Sequence, residues 1–278
     1  MLRNFSLVVL VGLTFASLAS AQASWRFRWQ QGQELVYRVE QSMTASETLA
    51  DGASETKTKA NLVKRWQVQS VDTAGVATLQ LSLDKLRIET TTTGGDLLLY
   101  DSSDPAKSNS QMKDQLGRYV GQPIALLRLD RQGRLVEVKK SDFGPASRFE
   151  ADLPFQLVLP DAEPRPGQAW ERTYKITLEP PQGTGEKYDA VQRYSYKTVT
   201  NGAATIALAT TLKTMPESLL DRVPLLQLQP EGEVVFDTQS GLMRSARLVI
   251  DKELKGHQGE GTSYRFQRTY VEEYAGNK

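Results

Sequence analysis

Two acids and two serines lie close together in "LLLYDSSDP", Leu97 to Pro105, a grouping of residue types that suits chemistry. Asp101 and Asp104 would serve as an acid/base pair, or as the start of an oxygen-ligand loop for a hard cation. A calcium loop needs further donors at regular steps and a closing bidentate glutamate, and none follows. Asp104 before Pro105 instead reads as a helix start, because aspartate accepts from free N–H groups and proline fits the first helical position. Asp104 is therefore expected as an N-cap. In "AKSNSQMKDQLGRYVG" the residues Met112, Leu116, Tyr119 and Val120 follow at helical spacing, and Gly121 suits the C-cap. The segment reads as strand, turn, cap and one helix over about 105–120.

The other candidates for chemistry are thinner. His257 is the only histidine and there is no cysteine, so this chain builds neither disulfides nor a thiolate or multi-histidine metal site. A Ser-His-Asp triad would need a strand-turn-helix nucleophile elbow, and no Gly-x-Ser-x-Gly is present. With glycines at 256, 259 and 261, His257 is expected at an exposed hairpin tip. Glu272 and Glu273 are adjacent and would point to opposite faces of a strand, so they do not make a glycosidase pair. Asp101 with Asp221 or Glu217 would make one only if the fold joined them. "GHQGEG" and "PPQGTGEK" lack the helix and the Lys-Ser/Thr of a phosphate loop. The expectation is no catalytic residue, no metal ligand and no cofactor, with a carboxylate-based hydrolase as the least favoured reading.

The chain opens "MLRNFSLVVLVGLTFASLASAQAS". Arg3, an apolar Leu7–Leu18 run and the small-residue "ASAQA" match a secretory leader over 1–23, too short to anchor in a bilayer. Export follows, to the periplasm, the cell surface or the medium. No cysteine follows the apolar run, so a lipoprotein is not expected. The 34 basic and 33 acidic residues are interleaved without a basic block, which argues against nucleic-acid binding. No later segment is long and apolar enough for a transmembrane helix.

Period-two alternation dominates the remainder. "ATLQLSL" puts Leu79, Leu81 and Leu83 on one face; "NLVKRWQV" does so with Leu62, Trp66 and Val68; "TSYRFQRTYVEEY" does so with Tyr264, Phe266, Tyr270 and Tyr274. After Leu83 the parity shifts to Leu86 and Ile88, and a bulge near Asp84 and Lys85 would restore the inward face. Asn201-Gly202 marks a tight hairpin, and "SVDTAGVAT", "LDRQGRLVEV" and "FDTQSGLM" each set a glycine before the next strand.

Three stretches recur in order. "GQELVYRV" from Gly32 matches "GQAWERTYKI" from Gly167; "RWQVQSVDTAGVATLQL" matches "RYSYKTVTNGAATIAL", with Gly75 over Gly202; "LDRQGRL" matches "FDTQSGL", with Gly133 over Gly241. A duplication is expected, 24–145 against 154–276, within one β-rich domain over 24–278. The Pro-rich stretch 154–167 would be an extended crossing between the halves. The fold expected is mainly β: an antiparallel meander of about eleven strands in a curved half-barrel or barrel-like sheet, with helix 105–120 as lid or plug.

On that fold, Trp66, Leu79, Leu81, Met112, Leu116, Tyr119, Tyr194 and Tyr264 are the residues expected to line an apolar groove. Core packing explains such a pattern equally well. The expected function is non-enzymatic: binding a lipid or other apolar molecule in the groove, or else docking an envelope protein with the interior filled. The leader, "WQQGQELVYRV" from Trp29, "YDSSDP" followed by "YVGQP", and "LPF", "LPD" and "PGQAW" further on together resemble a family of exported bacterial β-rich proteins of unknown function. That resemblance implies export and a repeated β architecture, and no catalytic residues. In architecture alone the chain is similar to periplasmic lipoprotein carriers of the LolA and LppX kind, which implies a half-barrel for acyl chains.

Overall fold

The computed structural model describes residues 25–276, so the expected leader over 1–23 lies outside the described residues. Twelve strands form one antiparallel sheet: β1 Glu34–Leu49, β2 Gly52–Val71, β3 Ala77–Thr92, β4 Leu98–Asp101, β5 Pro123–Leu129, β6 Leu135–Ser141, β7 Ala169–Leu178, β8 Glu186–Thr200, β9 Ala203–Leu212, β10 Glu231–Asp237, β11 Leu242–Lys255 and β12 Ser263–Gly276. Their order is β6-β5-β3-β2-β1-β12-β11-β10-β9-β8-β7, with β4 added to β3. The first and last strands thus pair in the middle, and the open edges are β6 and β7, the strands on either side of the Pro-rich crossing. The strand expected before Asp101 is β4, only four residues long, which pairs Leu98 with Thr90 and Asp101 with Arg87; the sheet has twelve strands where about eleven were expected.

Local chemistry sets the register. Asn201 and Gly202 take φ of 51° and 77°, as a two-residue hairpin between β8 and β9 requires. The expected bulge in β3 is present: Val63 opposes Lys85 and Lys64 opposes Leu83, leaving Asp84 as the extra residue. Leu81 and Leu83 before it, and Leu86 and Ile88 after it, therefore line the same side of the sheet.

The expected 105–120 helix is broken into a 3-10 turn Pro105–Lys107, an α-helix α1 Ser110–Leu116 and a second 3-10 turn Gly117–Tyr119. Asp104 does stand before Pro105, but its carboxylate caps no N–H and pairs with Lys107 at 2.7 Å. The break has a local cause. Ser108 Oγ accepts from Asp101 N at 2.8 Å and Asn109 Oδ1 from Leu99 N at 2.5 Å, so both residues turn back to β4 with an extended backbone.

The crossing is more than a connection between edges. After the short helix α2 Arg148–Ala151, every residue from Leu153 to Pro160 is buried. Pro154 and Pro160 keep this stretch out of the ladder, and its apolar side chains enter the curve of the sheet instead. Its backbone is tied to both open edges: Trp170 Nε1 on β7 donates to Val158 O at 2.6 Å, and Leu159 N donates to Gln132 O in the β5–β6 turn at 2.8 Å. Phe155 packs against Trp29, Phe27, Trp66 and Tyr37 with ring centroids 5.4–5.8 Å apart. The segment Trp25–Trp29 fills the same interior, with Phe27 stacked on Trp29 at 4.8 Å.

The matched glycines Gly133 and Gly241 each hold a tight turn against that N-terminal segment. Gly133 has φ +83°, and a Cβ there would lie 2.6 Å from the Phe27 ring and 2.7 Å from Leu157 O. Gly133→Ala is expected to cost more than about 1 kcal/mol, since both the dihedral and the backbone contact oppose it. A urea midpoint equal to that of the parent would show that the turn relaxes freely.

Candidate functional site

Strand parity puts charged groups among apolar ones on the inner face. On β12 the inward set Tyr264, Phe266, Tyr270 and Tyr274 also contains Arg268 and Glu272; on β2, Lys64 stands between Leu62 and Trp66. β1 separates the two strands, with Tyr37 opposite both Lys64 and Tyr274. Glu272 is fully buried. Lys64 Nζ lies 3.2 Å from Glu272 Oε1 and donates to Tyr270 Oη at 2.9 Å, while Tyr270 Oη donates to Glu272 Oε2 at 2.6 Å. Burial, and next the Glu272 charge, hold the phenols of Tyr37 and Tyr270 well above the usual range. Tyr37 Oη donates to Met243 O at 2.9 Å, so neither phenol is a free acid or base.

Beside this cluster is a cavity of about 290 Å³. Its floor is Val39, Gln41, Leu62, Lys64 and Trp66 together with Leu81, Leu83, Leu86 and Ile88, the four β3 residues that the bulge brings into line. Leu116 and Tyr119, at the end of α1 and just after it, wall one side. Phe143, Arg148, Phe149 and Asp152–Pro154 of the crossing wall another, with Arg268 and Tyr270 of β12. The Arg148 guanidinium lies 5.1 Å from the Phe143 ring centre and 4.9 Å from that of Phe149, and donates to Phe143 O at 2.6 Å. Burial pulls the Arg148 pKa down, with Asp152 opposing; guanidinium remains charged even so. Arg268 lies over the Tyr270 ring at 5.3 Å. Trp66 Nε1 is buried and has no acceptor among the described residues.

Of the residues expected to line a groove, Trp66, Leu81, Leu116 and Tyr119 come together here. The other four lie elsewhere. Leu79 is closed over in the main core. Tyr194, on β8, stacks on Trp170 at 5.7 Å and donates to Gln192 Oε1 at 2.5 Å, its pKa pushed up to about 12 by burial. Tyr264 packs beside Leu226, Ile250 and Phe266 in a separate cluster, and Met112 is absent from the cavity wall. For Leu79 and Tyr194 the physical reason is the crossing, whose Leu153, Phe155, Leu157 and Leu159 share the main core with them; Tyr264 is covered by Leu226 instead. Lys64, Arg148 and Arg268 were missed, although charged residues at inward positions of amphipathic strands are a legible signal for the two on β2 and β12.

The remaining chemical candidates resolve into structure. Asp101 accepts from Ser103 N at 2.8 Å and pairs with Arg87 at 2.6 Å; the Ser103 N–H chiefly holds its carboxyl below the usual range, against partial burial and with help from Arg87. His257 corrects the expectation of an exposed tip: it is 6% exposed, with Nε2 at 2.9 Å from Glu47 Oε1 and its ring edge-on to Tyr264. The turn is glycine-rich, but it folds back onto β1, so the imidazole is covered. Among the described residues no group of three or more His, Cys, Asp or Glu could hold a metal ion, and no helix is long and apolar enough to cross a membrane. A larger cleft of about 870 Å³ runs along the seam between β6 and β7, walled in part by Arg134, Glu137, Glu171 and Arg172.

No family model matches the chain and no curated protein does. Among solved structures, one of lipid–protein interactions in lipovitellin matches with a TM-score of 0.49 and 13% identity, over 90% of this chain and 26% of that one. DynF, from the dynemicin biosynthesis pathway of Micromonospora chersina, matches with a TM-score of 0.24 and 7% identity, over 91% of this chain and 86% of that one. The chain thus spans about a quarter of the lipovitellin chain's length.

Proposed function

We propose that this protein acts after export as a non-enzymatic binding protein that holds an apolar molecule in the cavity under the end of α1. The observation that supports this reading is the cavity itself. It is bounded by apolar side chains from five strands, a helix end and the connection that leads into the crossing, while Leu153–Pro160 and Trp25–Trp29 fill much of the remaining interior. A volume of about 290 Å³ falls at the small end of ligand pockets, ~300–1,000 Å³, and suits one acyl-type chain better than a two-chain lipid.

Native mass spectrometry of protein purified from its host's envelope or medium tests the reading. A stoichiometric apolar adduct is expected; a clean apo mass that does not shift with added fatty acid would count decisively against it. Leu116→Asp is expected to weaken fatty-acid binding about tenfold or more, and Met112→Asp, on the same helix but off the cavity wall, to leave it unchanged. A second reading, a module that docks an envelope protein, draws on the open β6 and β7 edges and the seam between them. A pull-down that depends on those edges, with no ligand bound, would favour it.

A further inference from the structure

We infer that the ligand carries an anionic head group on its single apolar chain, and that Arg268 with Arg148 receives that head. This rests on the cavity being the binding site, and it goes further by naming the charge and where it sits. Three cations, Lys64, Arg148 and Arg268, enter the cavity wall against one carboxylate, Asp152. Lys64 is already matched by the buried Glu272 at 3.2 Å. Neither arginine holds a carboxylate in contact, and Asp152 supports the Arg148 charge only from a distance. Arg268 has the face of Tyr270, Arg148 has two aromatic faces and a carbonyl, and neither forms an ion pair among the described residues. Other arginines of the same sheet do hold carboxylates: Arg65 with Asp84 at 3.0 Å, Arg265 with Asp251 at 2.7 Å.

Guanidinium groups in an apolar wall lose hydration that only a hydrogen-bonded anion restores well. Their planar forks suit the paired oxygens of a carboxylate, sulfate or phosphate. The Trp66 indole N–H in the same wall is a further donor without an acceptor. Leu81, Leu83, Leu86 and Ile88 leave no polar partner for the rest of such a molecule, which sets the class as amphiphile and not free anion. A cation would meet the two arginines, and a neutral alcohol would leave them unpaired.

Calorimetric titration of the full protein with decanoate, decanol, decyltrimethylammonium and inorganic phosphate separates these cases. Decanoate is expected to bind, decanol about tenfold more weakly (about 1.4 kcal/mol), and the ammonium and phosphate more weakly still. Arg268→Gln is expected to narrow the gap between decanoate and decanol, with Arg148 retaining part of it, and Arg148→Gln with Arg268→Gln to close it. The wild-type series decides the matter even if those variants fold poorly. Equal affinity for decanoate and decanol would overturn the anionic head while leaving the apolar cavity in place. Phosphate binding as tight as decanoate would overturn the chain. Binding of none of the four would remove both this inference and the reading it rests on.

Discussion

Phe155→Ala is expected to lower the unfolding free energy by about 3–5 kcal/mol, the usual cost of truncating a fully packed phenylalanine. Phe155 is 2% exposed and touches rings from the N-terminal segment, β1 and β2, so its loss leaves a hole where the crossing meets the sheet. A domain typically has ~5–15 kcal/mol in reserve, so this one change removes a large share. Urea denaturation followed by far-ultraviolet circular dichroism measures it, and the near-ultraviolet signal of the aromatic cluster should fall in the folded variant. A loss under about 0.5 kcal/mol is what a surface linker would give, and it would mean that the crossing lies outside the core.

The second large effect concerns the buried charge. Lys64→Met is expected to cost about 3 kcal/mol, because it leaves Glu272 fully buried with only the Tyr270 hydroxyl against it. The low end of the range for breaking a buried pair applies, since the Lys64 side chain is 19% exposed. The double variant Lys64→Met with Glu272→Leu is expected to regain most of that stability, as a well-packed apolar pair often equals a buried ion pair. Urea midpoints of the four proteins in the cycle give the coupling directly. Additive effects would show that Lys64 and Glu272 act independently and that the cluster does not hold β2 to β12.

These two sites differ in how readily they are read from sequence. Lys64, Arg268 and Glu272 fall at inward positions of strands whose alternation is plain, so the face they share follows from period two alone. Their meeting does not, because it depends on β12 pairing with β1 across the whole length of the chain. Phe155 lies in "LPFQLVLP", where the prolines dominate a local reading and point to an extended crossing without saying what covers it. The apolar content of that stretch was the signal for burial. Likewise "SNSQMKDQL" has helical spacing, yet Ser108 and Asn109 find better partners on β4 than in a continuous helix.

What the amino-acid order determined by itself was therefore local: the strands, their inward faces, the bulge at Asp84 and the hairpin at Asn201-Gly202. Alternation, turn chemistry and residue type act over a few residues, and no distant contact is needed to express them. Tertiary structure decided which inward faces share a space. Pairing β1 with β12 left the β6 and β7 edges open and drew the crossing inside, where Leu153–Pro160 closed off Leu79 and Tyr194 but left a cavity between Trp66, Leu116 and Arg268. A buried apolar run gains free energy from whatever surface covers it, and that surface is set by contacts far apart in the chain.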